Sequence, residues 1–164
     1  MSFSTRIESS VLSLLLPHKY PFLLLDRVIE LDPGKAAVGI KNVTIGEPYF
    51  VGHFPGEPIV PGVLLLESLA QITAVMYISA FFPPSTDWSN LDFGDVDPAQ
   101  IAAKVGYLVE IKSVKFKKVV QPGDTLILRT SLKGNFANLS QVQVAASVDS
   151  IPVVEGLMTV SQRP

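Results

Sequence analysis

The sequence predicts an α+β domain in which a curved antiparallel sheet wraps one long, buried apolar helix. Residues Val63–Phe82 are apolar almost all the way round a helical wheel, and a helix without a polar face has to be enclosed. Val-, Ile- and Leu-rich stretches divided by turn residues lie on both sides of it, two before and four after. The 164 residues, 48% of them hydrophobic, suffice for one core without disulfide or metal staples. We read residues 1–164 as one domain.

Taken in order, Ile7–Leu16 has the spacing of a short amphipathic helix, stopped by Pro17. Phe22–Leu31 and Lys35–Val43 form a hairpin about the Asp32-Pro33-Gly34 turn. Ile45–Gly62 holds Gly46, Pro48, Gly52, Pro55, Gly56, Pro58, Pro61 and Gly62, a loop of fixed shape with little left to order on folding. The long helix follows, closed by Pro83-Pro84. Ser85–Ala103 is then a surface excursion carrying Asp87, Asp92, Asp95 and Asp97, with a short helix near Pro98–Lys104. Four strands are expected next, at Val105–Val119, Asp124–Lys133, Leu139–Asp149 and Val153–Gln162. Gln121-Pro122-Gly123, Gly134-Asn135 and Ser150-Ile151-Pro152 separate them, and the spacing predicts a meander. A sheet curved about the central helix is the economical cover for it. That is the layout of the hot-dog fold, although periodicity alone leaves other α+β layouts open.

Composition removes several classes of function. There is no cysteine, so disulfide scaffolds, thiolate metal sites and cysteine nucleophiles are excluded. A net charge of -2 speaks against a nucleic-acid partner. His18 and His53 are the two histidines, with no metal-ligand spacing between them. No phosphate loop, dinucleotide fingerprint or nucleophile elbow is present. The first residues lack the basic start and apolar core of a secretory signal. Val63–Phe82 has the length of a membrane span, but Glu67 and Gln71 in its first half would be costly in lipid. A cytoplasmic protein without a membrane span is expected.

Proton-transfer chemistry has few candidates, and they cluster. Glu67 lies about five residues into the long helix, with Gln71 at i+4, so the two share a face. The stripe either looks out to solvent or holds a carboxyl that desolvation favours as the neutral acid. His53, between glycine and proline in Gly52-His53-Phe54-Pro55, is held rather than free. It is either a loop histidine tied to a carbonyl or a base. As a pair, imidazole and carboxylic acid supply what removal of a proton beside a carbonyl and loss of a β-hydroxyl require. Gly62 opens the helix, where unpaired N–H groups and the positive dipole end could hold a developing oxyanion. An ordinary capping glycine is the alternative. His18 reads as structural or peripheral.

These residues resemble a known family. Leu16-Pro17-His18-Lys19-Tyr20-Pro21-Phe22, continuing to Asp26-Arg27-Val28, looks like the opening signature of the β-hydroxyacyl-acyl-carrier-protein dehydratases of the FabZ type. Asn42-Val43-Thr44, Glu47-Pro48, Gly52-His53-Phe54-Pro55, Pro58, Pro61-Gly62-Val63-Leu64, Glu67 and Ala70-Gln71 match the family's central motif in order and spacing. Pro122-Gly123-Asp124 matches a later turn. Glutamate at 67 is similar to the non-isomerising branch. The resemblance implies a hot-dog fold and cofactor-free syn elimination of water from a (3R)-3-hydroxyacyl thioester to a trans-2-enoyl product. It implies His53 as base and Glu67 as acid, meeting between subunits. Gly62 would donate to the thioester carbonyl, Gln71 would support Glu67, and Phe54 and Val63 would border the substrate. Acyl carrier protein is the implied partner, in a homodimer, a trimer of dimers or a heterodimer with a related dehydratase. Departures from the pattern are Gly46, the Tyr107-Leu108-Val109-Glu110-Ile111 stretch and the long excursion. The last two bear on substrate and partner rather than on reaction type, and leave open fatty-acid elongation or a polyene or polyketide route.

Charge is uneven along the chain. Residues 104–133 hold seven basic and two acidic residues, a local +5, against six basic and thirteen acidic elsewhere, -7. Such a strip is a dock for an acidic carrier, or a solvated strand face whose lysines guard an edge. A hot-dog thioesterase and one subunit of a heteromeric dehydratase are the competing functions.

Overall fold

The helix that organises the protein, α2, runs from Gly62 to Ser79 and buries residues on every side, among them Leu65, Leu69, Ile72, Val75, Met76 and Ile78. It is long and apolar enough to cross a membrane by length and composition, but 61% of it is buried inside the fold. It is the core helix. The computed structural model describes residues 5–91, 94 and 97–161. Met1–Ser4, Asp92, Asp95 and Gln162, all of which entered the reading above, lie outside the described residues.

Around α2 runs one six-stranded sheet with β1 Arg27–Asp32, β2 Ala36–Asn42, β3 Tyr107–Phe116, β4 Thr125–Phe136, β5 Leu139–Val148 and β6 Ile151–Ser161. Every neighbouring pair is antiparallel, in the order β1-β2-β4-β5-β6-β3. Helix α1 (Ser9–Leu15) precedes the sheet in sequence and α3 (Pro98–Lys104) leads into β3. On β4 and β5 alternate residues are buried: Leu126, Leu128 and Thr130, then Val142, Val144, Ala146 and Val148. This period of two supplies one apolar face, and α2 fills it. At Gly39 of β2 the helix packs tightly, and an added Cβ would lie 2.7 Å from Ile72 Cδ1. The Thr73 and Thr130 hydroxyls, 2.8 Å apart and buried, satisfy each other between helix and sheet.

Three expectations are corrected. The last four strands are not a simple meander: β4, β5 and β6 are, but β3 pairs with β6 at the far edge instead of lying beside β4. The long link from β3 to β4 carries the chain across the sheet. The β4–β5 turn is at Ala137-Asn138, not Gly134-Asn135, because Gly134 follows a register irregularity inside β4 and the strand continues to Phe136. Likewise Ile151 and Pro152 belong to β6; the turn is Asp149-Ser150, both with positive φ (50° and 66°), as a two-residue type I′ hairpin requires.

The sheet's two edges differ. At β1, Ile7 exchanges two 3.0 Å backbone hydrogen bonds with Val28 and covers the strand. At β3, Tyr107, Leu108, Val109, Ile111 and Phe116 are all exposed, and among the described residues only β6 pairs with the strand.

Candidate functional site

Glu67 and Gln71 are placed as their spacing requires. Gln71 is buried, and its Nε2 donates to Glu67 Oε1 at 2.9 Å and to the Phe22 carbonyl at 2.7 Å. Its Oε1 accepts from the Leu24 N–H at 2.9 Å. The amide therefore ties the acid to the segment entering β1, and the polar stripe faces inward rather than to bulk solvent. His18 sits on the other side of the carboxyl, with Nε2 3.3 Å from Glu67 Oε1. Expected to be structural or peripheral, His18 is brought by the fold to the acid.

Both His18 and Glu67 border a cavity of about 580 Å³, within the range of small-molecule sites. Along α2 it is lined by Glu67, Ala70, Ala74 and Tyr77, one helical face, with two alanines hollowing the middle. From Glu67 to Tyr77 the helix rises roughly 15 Å. Burial pushes the Tyr77 phenol above its ordinary range. The far wall includes Ala103, Lys104 and Val105, so the end of the excursion bounds the cavity. Lys104 Nζ stands 4.4 Å over the Phe81 ring, and Phe82 packs on Trp88 with centroids 5.0 Å apart, folding the excursion back onto the core.

His53 is held by its loop. Its N–H donates to Tyr49 O, its carbonyl accepts from Ile59 N, and Phe54 and Glu57 exchange two 3.0 Å bonds beside it. Val60 N donates to Val120 O, pinning the loop's exit. Its entry is pinned by the buried Lys41, whose Nζ lies 3.1 and 3.0 Å from the two Glu47 carboxylate oxygens. His53 Nδ1 lies 2.8 Å from the Ile59 carbonyl. A carbonyl only accepts, so Nδ1 carries the proton and the neutral ring keeps its lone pair on Nε2, as a base would need. His53 is not among the residues lining the cavity that holds Glu67; within one chain the two do not share that cavity.

Gly62 is the first residue of α2, with Pro61 as the cap. Here the absence of a side chain matters, because a Cβ would lie 3.0 Å from Phe116 Cε1. Leu64 N and Leu65 N both donate to the Pro61 carbonyl, at 2.9 and 3.3 Å, so the N–H groups at Gly62 and Val63 are the first-turn donors without an intrahelical acceptor. Val63 and Phe54 are exposed and, like Gly62, lie outside the cavity lining. Sequence reasoning did not single out Phe116 as a neighbour of Gly62; no local signal links positions 54 residues apart.

A sheet wrapped round one buried helix, with a carboxyl in that helix's first half facing a cavity, defines a hot-dog protein. A family model described as "FabA-like domain" matches residues 16–156. The 3-hydroxyacyl-[acyl-carrier-protein] dehydratase FabZ of Wolbachia pipientis wMel is 44% identical over 144 residues, 88% of each chain. The enzyme of that name from Caldicellulosiruptor saccharolyticus is 42% identical over 142 residues, 87% of this chain and 89% of its own. Among solved structures, the dehydratase heterocomplex ApeI:P from Xenorhabdus doucetiae superposes with a TM-score of 0.66 at 18% identity, over 93% of this chain and 91% of that one, a likeness of fold. The chain belongs to the FabA-like family, among the relatives named FabZ.

Proposed function

We propose that this protein is a 3-hydroxyacyl-[acyl-carrier-protein] dehydratase, a hydro-lyase of fatty-acid synthesis. One observation carries the reading: Glu67, fixed by Gln71, opens onto an elongated cavity in a chain 44% identical to a named dehydratase. His53 Nε2 removes the α-proton of the thioester. Glu67 protonates the β-hydroxyl, which leaves as water, and the α,β double bond forms. The first-turn N–H at Gly62 donates to the thioester oxygen as negative charge grows there. Gln71 holds Glu67, while Phe54 and Val63 border the substrate. The elimination draws on acid–base groups of the protein alone, without cofactor or metal.

His53 and Glu67 then meet between two chains. The single chain leaves Phe54, Val63 and the β3 apolar side chains Tyr107, Leu108, Val109 and Ile111 exposed, which supports a homodimer as the working unit, alone or within a trimer of dimers. Residues 1–164 act as one dehydratase domain in the cytoplasm. Acyl carrier protein delivers the substrate to the basic strip. There Lys117 is tied to Glu155 at 2.6 Å and Lys112 to Glu110 at 3.0 Å, while Lys115 and Lys118 form no ion pair among the described residues.

The test is an assay for enoyl product from 3-hydroxyacyl carrier-protein thioesters. His53→Ala and Glu67→Gln should each lose about 10²–10⁴ in rate. Mixing the two inactive variants should restore about a quarter of the wild-type activity through hybrid dimers with one intact site. Release of free acid would make the protein a thioesterase, and no recovery on mixing would place both groups of a site in one chain. Charge reversal at Lys115, Lys117 and Lys118 should raise KM for the carrier-bound substrate and leave a short thiol analogue unaffected.

A further inference from the structure

His18 lies in the segment between α1 and β1, yet it reaches the carboxyl of a helix 49 residues further along. Its side chain is 25% exposed and that of Glu67 22%. Its ring stacks on Phe22, with centroids 6.3 Å apart and planes at 27°, and Gln71 bonds the Phe22 carbonyl. His18, Gln71 and the Phe22 turn thus form one collar around the acid.

The collar grips a single oxygen. Gln71 Nε2 and His18 Nε2 both address Glu67 Oε1, at 2.9 and 3.3 Å. Among the described residues nothing bonds to Oε2. The other imidazole nitrogen decides which way His18 bonds. Nδ1 is buried without a hydrogen-bond partner. A proton on Nδ1 would bury an unpaired donor and turn a bare Nε2 lone pair toward a carboxyl oxygen. A proton on Nε2 makes a donor face an acceptor. The favoured tautomer therefore turns its Nε2–H toward Glu67 Oε1, a 3.3 Å contact that a small side-chain shift would close into a hydrogen bond.

We infer that His18 is a positioning residue for the elimination: with Gln71 it occupies Oε1 of Glu67, so that the acid carries its proton on Oε2, the oxygen left for the substrate hydroxyl. An oxygen that accepts one N–H and is faced by a second is the carbonyl oxygen of the neutral acid, and the O–H is then the other one. The proton leaves from a defined oxygen in a fixed direction, and after it has gone the same two donors hold the carboxylate in place. The inference rests on Glu67 being the acid of the proposed reaction.

Three variants test it on the purified full chain, assayed for enoyl product. In His18→Gln the amide nitrogen can take the place of Nε2; in His18→Asn it can reach only the place of Nδ1; His18→Leu has no donor. We expect His18→Gln to keep kcat within about threefold, and the other two to lose about 10- to 10²-fold in kcat with little change in KM, as for a misplaced group. ¹⁵N NMR of histidine-labelled wild type, which depends on no variant folding, should show a pyrrole-type Nε2 and a pyridine-type Nδ1 for His18. Wild-type kcat in His18→Leu, equal losses in all three variants, or the opposite tautomer would each overturn the inference. A wild-type chain that makes no enoyl product would overturn the reading beneath it. Activity in wild type and His18→Leu alike would overturn the role of His18 alone.

Discussion

Gln71 stands one helical turn beyond Glu67 and bonds it at 2.9 Å while the same amide accepts from Leu24 and donates to the Phe22 carbonyl. A single side chain therefore positions the acid and joins α2 to the strand entry. Gln71→Leu should lower both properties. It strands the buried Leu24 N–H, at about 1–3 kcal/mol, takes the donor from the part-buried Phe22 carbonyl, and loosens the carboxyl, which should reduce kcat by up to about 10²-fold. Urea melts and dehydration kinetics on one preparation check both. A stable variant with wild-type kcat would show that the bonds are incidental.

Lys41 and Glu47 clamp the entry to the His53 loop from a buried position. Lys41→Met leaves the Glu47 carboxylate without its counter-charge and should cost about 3–5 kcal/mol. Lys41→Met combined with Glu47→Leu should recover much of that loss, since a buried pair replaced by apolar groups is often close to neutral. Denaturant midpoints of the two variants decide it.

Gly39 is where the sheet admits the helix. Gly39→Ala places a methyl 2.7 Å from Ile72, 2.8 Å from Leu25 and 3.0 Å from the Arg27 carbonyl. Two of those atoms end flexible side chains but the third is backbone, so the strain is only partly relieved. A loss of about 1–3 kcal/mol is expected, seen as a lower Tm. An unchanged Tm would mean that β2 can move away from α2.

Glu155 on β6 reports on the β3 edge. Its hydrogen bond from Lys117 holds its carboxyl below the usual glutamate range. A folded-state pKa below the unfolded one gives stability that is present above the ordinary glutamate value and is lost as pH falls through the depressed one. Glu155→Gln should therefore have a lower Tm than wild type near neutral pH, and the gap should close on acidification below the ordinary value of about 4.3. Calorimetry across that range checks the sign; a gap that widens in acid would refute the pairing.

Much of this architecture was legible because its signals are local. Val63–Phe82 announces a buried helix by having no polar face, Asp32-Pro33-Gly34 announces a hairpin, and Pro98–Lys104 was expected with the bounds observed. The i, i+4 relation of Glu67 and Gln71 needed only helical geometry. What stayed hidden is non-local. Nothing in Tyr107–Phe116 says that it pairs with β6 rather than β4, because strand neighbours are chosen by the closure of the whole sheet. Gly134 looks like a turn, since glycine serves bulges and turns alike. His18 is brought to Glu67 by the path of the chain between α1 and β1, which no periodicity encodes.

The cavity beside Glu67 is bounded by residues from nearly the full length of the chain, from His18 near one end to Ser161 near the other. A fragment that starts beyond His18, or stops short of Val160 and Ser161, loses part of its wall. A molecule lodged there fastens the two extremities to the middle, so occupancy and resistance to unfolding should rise together.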